Sequence, residues 1–114
     1  MEKKIVLVTG ATSGIGEACA TRFAQGGYNV IITGRNRDNL VKVQQLIEAE
    51  GAAALPLCFD VRDRDAARKA VESIPESWRE IDVLVNNAGL ARGLEEEYKG
   101  DFDDWDQMID TNIK

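Results

Sequence analysis

Apolar positions along this chain follow two alternating rhythms. Short unbroken runs such as Ile5-Val6-Leu7-Val8 are separated by stretches in which apolar side chains recur every three or four positions. An unbroken run reads as a strand covered on both faces, and the spaced pattern reads as an amphipathic helix. A first strand is predicted from about Lys4 to Thr9. The helix after it runs from about Ser13 to Gln25, with Ile15, Ala18, Cys19, Arg22 and Phe23 facing inward and the Arg22 stem lying along the core surface. Gly26-Gly27 stops it. Tyr28 to Thr33 forms a second strand, and a second helix follows, capped by Asn36 or Asp38, with a stripe of Leu40, Val43, Leu46 and Ile47 that ends at Gly51. A third strand spans Ala52 to Phe59, and Pro56 places it near a sheet edge. Asp63 caps a third helix that turns Ala67, Ala70, Val71 and Ile74 inward and ends near Pro75. Ile81 to Val85 is a fourth strand.

Strand and helix therefore alternate three times, and the strands are almost continuously apolar. That combination predicts an α/β domain: a Rossmann-like, doubly wound parallel sheet with helices on both faces. The segment from about Asp101 to Lys114 carries a further helical stripe of Phe102, Trp105, Ile109 and Ile113, with no stop signal. A dinucleotide fold of this kind has about six strands in two halves. Residues 1–114 are therefore expected to be the nucleotide-binding portion of a single domain: its first half plus one further helix, the N-terminal part of a longer polypeptide.

Composition narrows the partners. The 114 residues carry a net charge of −6 and no histidine, which speaks against a nucleic-acid surface and removes the usual zinc and Ser-His-Asp arrangements. Cys19 and Cys58 are not in a C-x-x-C pair, so they read as small buried residues in a reducing compartment. The apolar run after Lys4 is too short for a signal peptide, and no stretch approaches a membrane span. A cytoplasmic location is expected. Glu95-Glu96-Glu97 reads as a solvated loop face.

The chemistry concentrates where strands end. Thr9-Gly10-Ala11-Thr12-Ser13-Gly14-Ile15-Gly16 follows the first strand and opens the first helix, with Ser13 as a candidate N-cap. Glycines there let the backbone turn tightly and approach an anion, and free N–H groups at the helix start face it. Taken alone, the loop fits either a dinucleotide diphosphate or an unliganded tight turn. The second strand ends in Thr33-Gly34-Arg35-Asn36-Arg37, with no carboxylate to take a ribose 2′-hydroxyl. Gly34 removes a charge that would repel a 2′-phosphate, and Arg35 offers a planar fork that binds one, which points to NADP(H). A solvated Arg35 is the other reading, and Arg37 reads as surface. Asp60-Val61, after the third strand, fits either adenine, with the carboxylate accepting from the amino group, or a cap for the third helix.

The spacing of these motifs resembles the short-chain dehydrogenase/reductase family. Thr9-Gly10-x-x-x-Gly14-x-Gly16 matches its T-G-x-x-x-G-x-G loop, and Asn86-Asn87-Ala88-Gly89 matches its N-N-A-G. Asp60-Val61 and Asn112 match two further positions, in order along the chain. The resemblance implies that Gly10, Gly14, Ile15 and Gly16 line the diphosphate, with Thr12 and Ser13 on phosphates and ribose. Arg35, with Asn36, would hold the adenosine phosphate, and Asp60 and Val61 would flank adenine. Asn87, Ala88 and Gly89 would lie along ribose, with Asn86 tying neighbouring strands. Catalysis in the family uses an Asn-Ser-Tyr-Lys set, of which only Asn112 is found here: Ile32 follows Tyr28 at the lysine spacing, and Phe102 follows Tyr98. The glycine spacing differs from the G-x-x-G-x-x-G of extended-type sugar-nucleotide epimerases.

Residues 86–113 are most similar to the NADP-dependent 3-hydroxy acid dehydrogenases, the serine/allothreonine type, through Gly89-Leu90-Ala91-Arg92-Gly93-Leu94-Glu95 and Trp105-Asp106-Gln107-Met108-Ile109-Asp110-Thr111-Asn112. The expected activity is hydride transfer between nicotinamide and a secondary alcohol or carbonyl of a small 3-hydroxy acid. The alternative is a non-catalytic or truncated dinucleotide-binding module. Expected partners are a small-molecule substrate and further copies of the chain, as dimer or tetramer, with neither nucleic acid nor membrane.

Overall fold

The computed structural model describes residues 3–12, 14–60 and 62–86. Four strands, β1 (Ile5–Thr9), β2 (Asn29–Gly34), β3 (Ala54–Cys58) and β4 (Val83–Asn86), pair in parallel in the order β3-β2-β1-β4. Three helices, α1 (Gly14–Gln25), α2 (Arg37–Ala49) and α3 (Arg64–Glu72), connect them. The predicted alternation and the α/β parallel class are therefore present. The predicted helix over 101–114 lies outside the described residues.

Alternation along each strand sorts the core into two layers. Val6, Val8, Val30, Ile32 and Val85 face α1 and α2 and pack with Ala20, Ala24, Leu40, Val43 and Ile47. Ile5, Leu7, Ile31, Leu57 and Leu84 face the other way and pack with Val71, Ile74 and Ile81 around α3. Every residue of β1 is buried, as a strand covered on both faces requires.

The face of α1 differs from the expected one. Gly16, Ala20 and Ala24 are its buried residues, with Cys19 and Phe23 packed at the margin. Ile15 is 44% exposed, and Ala18 and Arg22 are also on the outside. Ranking positions by apolar size selects Ile15. The sheet instead selects the small residues at spacing four, because they let the helix axis come close to β1. The stripe of α2 is narrower than expected for the same geometrical reason: Leu40, Val43 and Ile47 fill the interface, and Leu46, one position off that line, is 42% exposed.

The other signals act where they were expected. Asn36 caps α2, its side chain accepting from Asn39 N at 3.1 Å, and Asp63 caps α3, accepting from Ala66 N at 3.1 Å. Among the described strands β3 has β2 as its one neighbour. Phe59 N donates to Gly34 O, so by alternation the nitrogen of Pro56 falls on the outer side, where no ladder bond is lost. A short 3-10 helix, Glu76–Trp78, follows Pro75 and was not foreseen. It brings Trp78 against the α3-side core. Arg79 closes the end of α3, its Nε donating to Ile74 O at 2.9 Å and its Nη2 to Glu72 O at 3.0 Å. A cation over terminal carbonyls suits the helix dipole.

One polar atom stands out in this core. Thr33 is fully buried, and its Oγ1 has no hydrogen-bond partner. A hydroxyl in that position costs on the order of 1–3 kcal/mol in lost solvation. Thr33→Val, which keeps the shape, is expected to stabilise the protein by about 1 kcal/mol. A urea unfolding midpoint that falls instead would contradict this account.

Candidate functional site

All four strands end at one edge of the sheet, and the segments leaving β1, β2 and β3 gather there. The junction after β1 is built by close approach. Gly10 takes a positive φ of 61°, the left-handed region that favours glycine. A Cβ on Gly16 would collide with the carbonyl oxygen of Gly10 and lie 2.9 Å from Ala11 Cα. Only a glycine lets the first turn of α1 pack down on this loop. The buried Ala11 anchors it, donating from N to Thr33 O at 3.0 Å. The opening turn of α1, where a helix presents N–H groups that have no acceptor within the helix itself, is therefore held at the carboxyl edge. A Cβ on Gly14 would meet nothing within 4 Å, and Gly14 and Ile15 are both exposed. An anion such as a diphosphate suits an exposed helix start of this kind.

The adjoining tips are tied to one another. Phe59 N donates to Gly34 O at 2.9 Å, and the Cys58 thiol donates to Arg35 O at 3.5 Å. Gly34 is tight for a reason beyond charge: a Cβ there would sit 2.9 Å from Thr12 Cγ2 and 3.3 Å from Leu40 Cδ2. Thr12 and the tip of β2 are thus in contact. Arg35, immediately past β2, projects a side chain that is 69% exposed. Asn36 shares this tip, with its side-chain oxygen occupied by the α2 cap. Arg37 is exposed on the first turn of α2.

Asp60 resolves one of the two sequence readings. Its carboxylate does not cap α3, a task done by Asp63, although its carbonyl accepts from Asp63 N at 2.9 Å. The carboxylate is held by Arg62 instead. Arg62 donates to it from the backbone N at 3.0 Å, from Nε at 3.1 Å and from Nη2 at 3.0 Å. Arg35 Nη1 approaches the same group at 3.8 Å. Side-chain and backbone hydrogen bonds from Arg62, helped by its charge and that of Arg35, lower the Asp60 pKa from 3.8 to about 2. Arg62 escaped the sequence reading. Its signal is the Asp-x-Arg spacing at a strand tip, where a turn folds the guanidinium back onto the carboxylate.

Thr9 and Asn86 face each other across the β1–β4 register, and Thr9 Oγ1 lies 3.3 Å from Asn86 Oδ1 and 3.4 Å from Val85 O. These contacts tie neighbouring strands, the role the resemblance implies for Asn86. The structure thus brings Gly10, Thr12, Gly14, Ile15, Gly16, Arg35, Asn36 and Asp60 to one edge. Ser13, Val61, Asn87, Ala88, Gly89 and Asn112 lie outside the described residues. The expectation of two buried cysteines holds only in part: Cys19 is half-buried, and burial raises its thiol pKa, whereas Cys58, at the carboxyl end of β3, is exposed. Among the described residues no group of three or more His, Cys, Asp or Glu could hold a metal, and no helix is long and apolar enough to cross a membrane.

Known proteins match this chain throughout. The family model described as short chain dehydrogenase matches residues 4–114. A probable NADP-dependent dehydrogenase of Haemophilus influenzae is 49% identical over 114 residues, covering 100% of this chain and 44% of the relative. The NADP-dependent 3-hydroxy acid dehydrogenase YdfG of Salmonella typhi is 52% identical over 110 residues, covering 96% of this chain and 43% of its own length. Among solved structures, L-sorbose reductase from Gluconobacter frateurii, complexed with NADPH and L-sorbose, superposes with a TM-score of 0.71 at 36% identity, over 78% of this chain and 34% of the other. The chain thus spans less than half the length of the relatives it matches.

Two outcomes test this geometry. Gly16→Ala should destabilise the protein by about 1–3 kcal/mol, because the new methyl group meets backbone rather than a movable side chain; unchanged urea unfolding would refute the close approach. The Asp60 carboxyl should titrate near 2, as followed by carboxyl-carbon NMR. Its folded-state value is depressed, so its contribution to stability is complete above 3.8 and is lost as pH falls through about 2. Arg62→Gln should move that titration up toward 3.8, and no movement would show that Arg62 is not its cause.

Proposed function

This chain belongs to the short chain dehydrogenase family, and on that footing we propose that the protein is an NADP(H)-dependent oxidoreductase. The observation that carries the coenzyme reading is the placement of two features at one sheet edge. An exposed helix start lies beyond β1, and an exposed guanidinium with no carboxylate beside it in sequence lies beyond β2. The first suits a diphosphate, and the second suits a 2′-phosphate where an NAD-selective site would carry an acid. In this reading Gly10, Thr12, Ser13, Gly14, Ile15 and Gly16 hold the diphosphate and its ribose. Arg35 and Asn36 hold the adenosine phosphate, and Asp60 and Val61 border adenine. Asn87, Ala88 and Gly89 lie along the second ribose.

The proposed reaction moves a hydride between the nicotinamide, which supplies or accepts it, and a secondary alcohol or carbonyl of a small 3-hydroxy acid. The names of two relatives, both NADP-dependent, support the coenzyme, and the name of one, a 3-hydroxy acid dehydrogenase, supports that substrate class. Asn112 is assigned to positioning a water in the proton relay. A tyrosine–lysine acid/base pair at the family spacing is not found in these 114 residues, and the reading assigns it to the remainder of the relatives' length. That same sequence fact favours the second reading, a nucleotide-binding module without catalysis. The whole protein is proposed to work in the cytoplasm as a dimer or tetramer.

The test is steady-state oxidation of serine by the full-length protein with NADP+ or NAD+, together with fluorescence titration of NADPH and NADH. Turnover with a strong NADP+ preference is expected. Arg35→Gln should weaken NADPH about 10- to 100-fold, the worth of a charge-assisted hydrogen bond, and leave NADH nearly unchanged. Equal losses for both coenzymes would remove Arg35 from this role. NADPH binding without turnover of any 3-hydroxy acid would favour the module.

A further inference from the structure

At the tip of β3 one carboxylate serves two guanidiniums, and it serves them unequally. An ionised carboxylate offers about four lone-pair sites. Arg62 N and Nε take two on Asp60 Oδ1, and Arg62 Nη2 takes one on Oδ2. The remaining site is on Oδ2, the oxygen that Arg35 Nη1 approaches at 3.8 Å, beyond hydrogen-bond distance. The partnership with Arg62 is local, two residues apart and pinned by a backbone N–H, so it forms at little conformational cost. Arg35 reaches the carboxylate from another strand tip with a side chain that is largely in solvent.

We propose that Arg62 is a positioning residue for coenzyme selection: by taking three of the four lone-pair sites of Asp60 it keeps that carboxylate from pairing closely with Arg35, and so leaves the Arg35 guanidinium for a 2′-phosphate. This rests on the reading of Arg35 as the group that meets that phosphate. One carboxylate between two guanidiniums leaves a single surplus positive charge, and the unequal geometry puts it on Arg35. Without Arg62, the lone pairs of Asp60 turn to the nearest remaining cation. A phosphate would then have to break an Arg35–Asp60 pair and approach a carboxylate with no other counter-charge. Arg62 does not itself meet the phosphate in this account, because its Nε–Nη2 edge is engaged on Asp60.

The experiment is isothermal titration of the full-length protein with 2′,5′-ADP and with 5′-AMP at fixed ionic strength. The ratio of the two affinities reads the 2′-phosphate alone, since adenine, ribose and the 5′-phosphate are common to both ligands. Arg62→Gln should lower that ratio about two- to fivefold, the strength of the exposed ion pair that would form in its place. In an Asp60→Asn background the same substitution should leave the ratio unchanged, because no carboxylate is left to turn on Arg35. A ratio unaffected by Arg62→Gln overturns the inference. So does an equal fall in both backgrounds, which would make Arg62 a direct phosphate ligand. Arg35→Gln, run alongside, should bring the ratio close to one. If it does while Arg62→Gln has no effect, only the role of Arg62 fails; if the ratio survives Arg35→Gln, the reading of Arg35 fails and takes this inference with it. All the substituted side chains lie at the surface of the strand tips, and thermal melting of each variant checks that the fold is kept.

Discussion

There is no room for a methyl group between the start of α1 and the carbonyl of Gly10. The geometry of the functional edge follows from that contact. It brings the helix down on the loop and carries Gly16, Ala20 and Ala24 onto the sheet. It also turns the helix N-terminus toward the line along which the parallel strands end. In a parallel sheet every strand presents its carboxyl end at the same side, so whatever the loops carry accumulates there. The amides beyond β1 and the guanidinium beyond β2 become neighbours for that reason alone, though they are far apart in sequence.

Electrostatics at that edge is arranged by short-range rules. Asp60 lies where its charge could cancel that of Arg35, and a turn of two residues supplies Arg62 as a nearer partner. Exposed ion pairs are individually weak, so the arrangement matters for which charge is left over more than for stability. Thr9 and Asn86 hold β1 and β4 in register, and the hydrogen bonds from Phe59 to Gly34 and from Ala11 to Thr33 hold the loops against the strand tips. A charged ligand would meet a surface whose backbone is already set.

Much of this was legible in the residue order. Unbroken apolar runs marked the strands, and Asn36, Asp63, Gly51 and Pro56 acted as their chemistry requires. Apolar periodicity misplaced the face of α1, because size was weighed above smallness: Ile15 is apolar yet exposed, while Gly16 is buried. Leu46 shows the same limit on α2, where three residues already fill the interface. Asp60 could not be assigned from sequence, since a carboxylate after a strand suits a cap and a ligand equally. Arg62 was missed because a partner two residues away becomes visible only when the turn that folds it back is known. Membership of the family was carried by motif spacing, and the chain spans less than half the length of the relatives it matches.

The most direct measurement is a crystal structure of the full-length protein with NADPH. The account predicts the diphosphate against the opening turn of α1 between Gly10 and Gly16, with the 2′-phosphate on Arg35. A coenzyme bound elsewhere, or a junction closed over by its own side chains after saturation with NADPH, would contradict it.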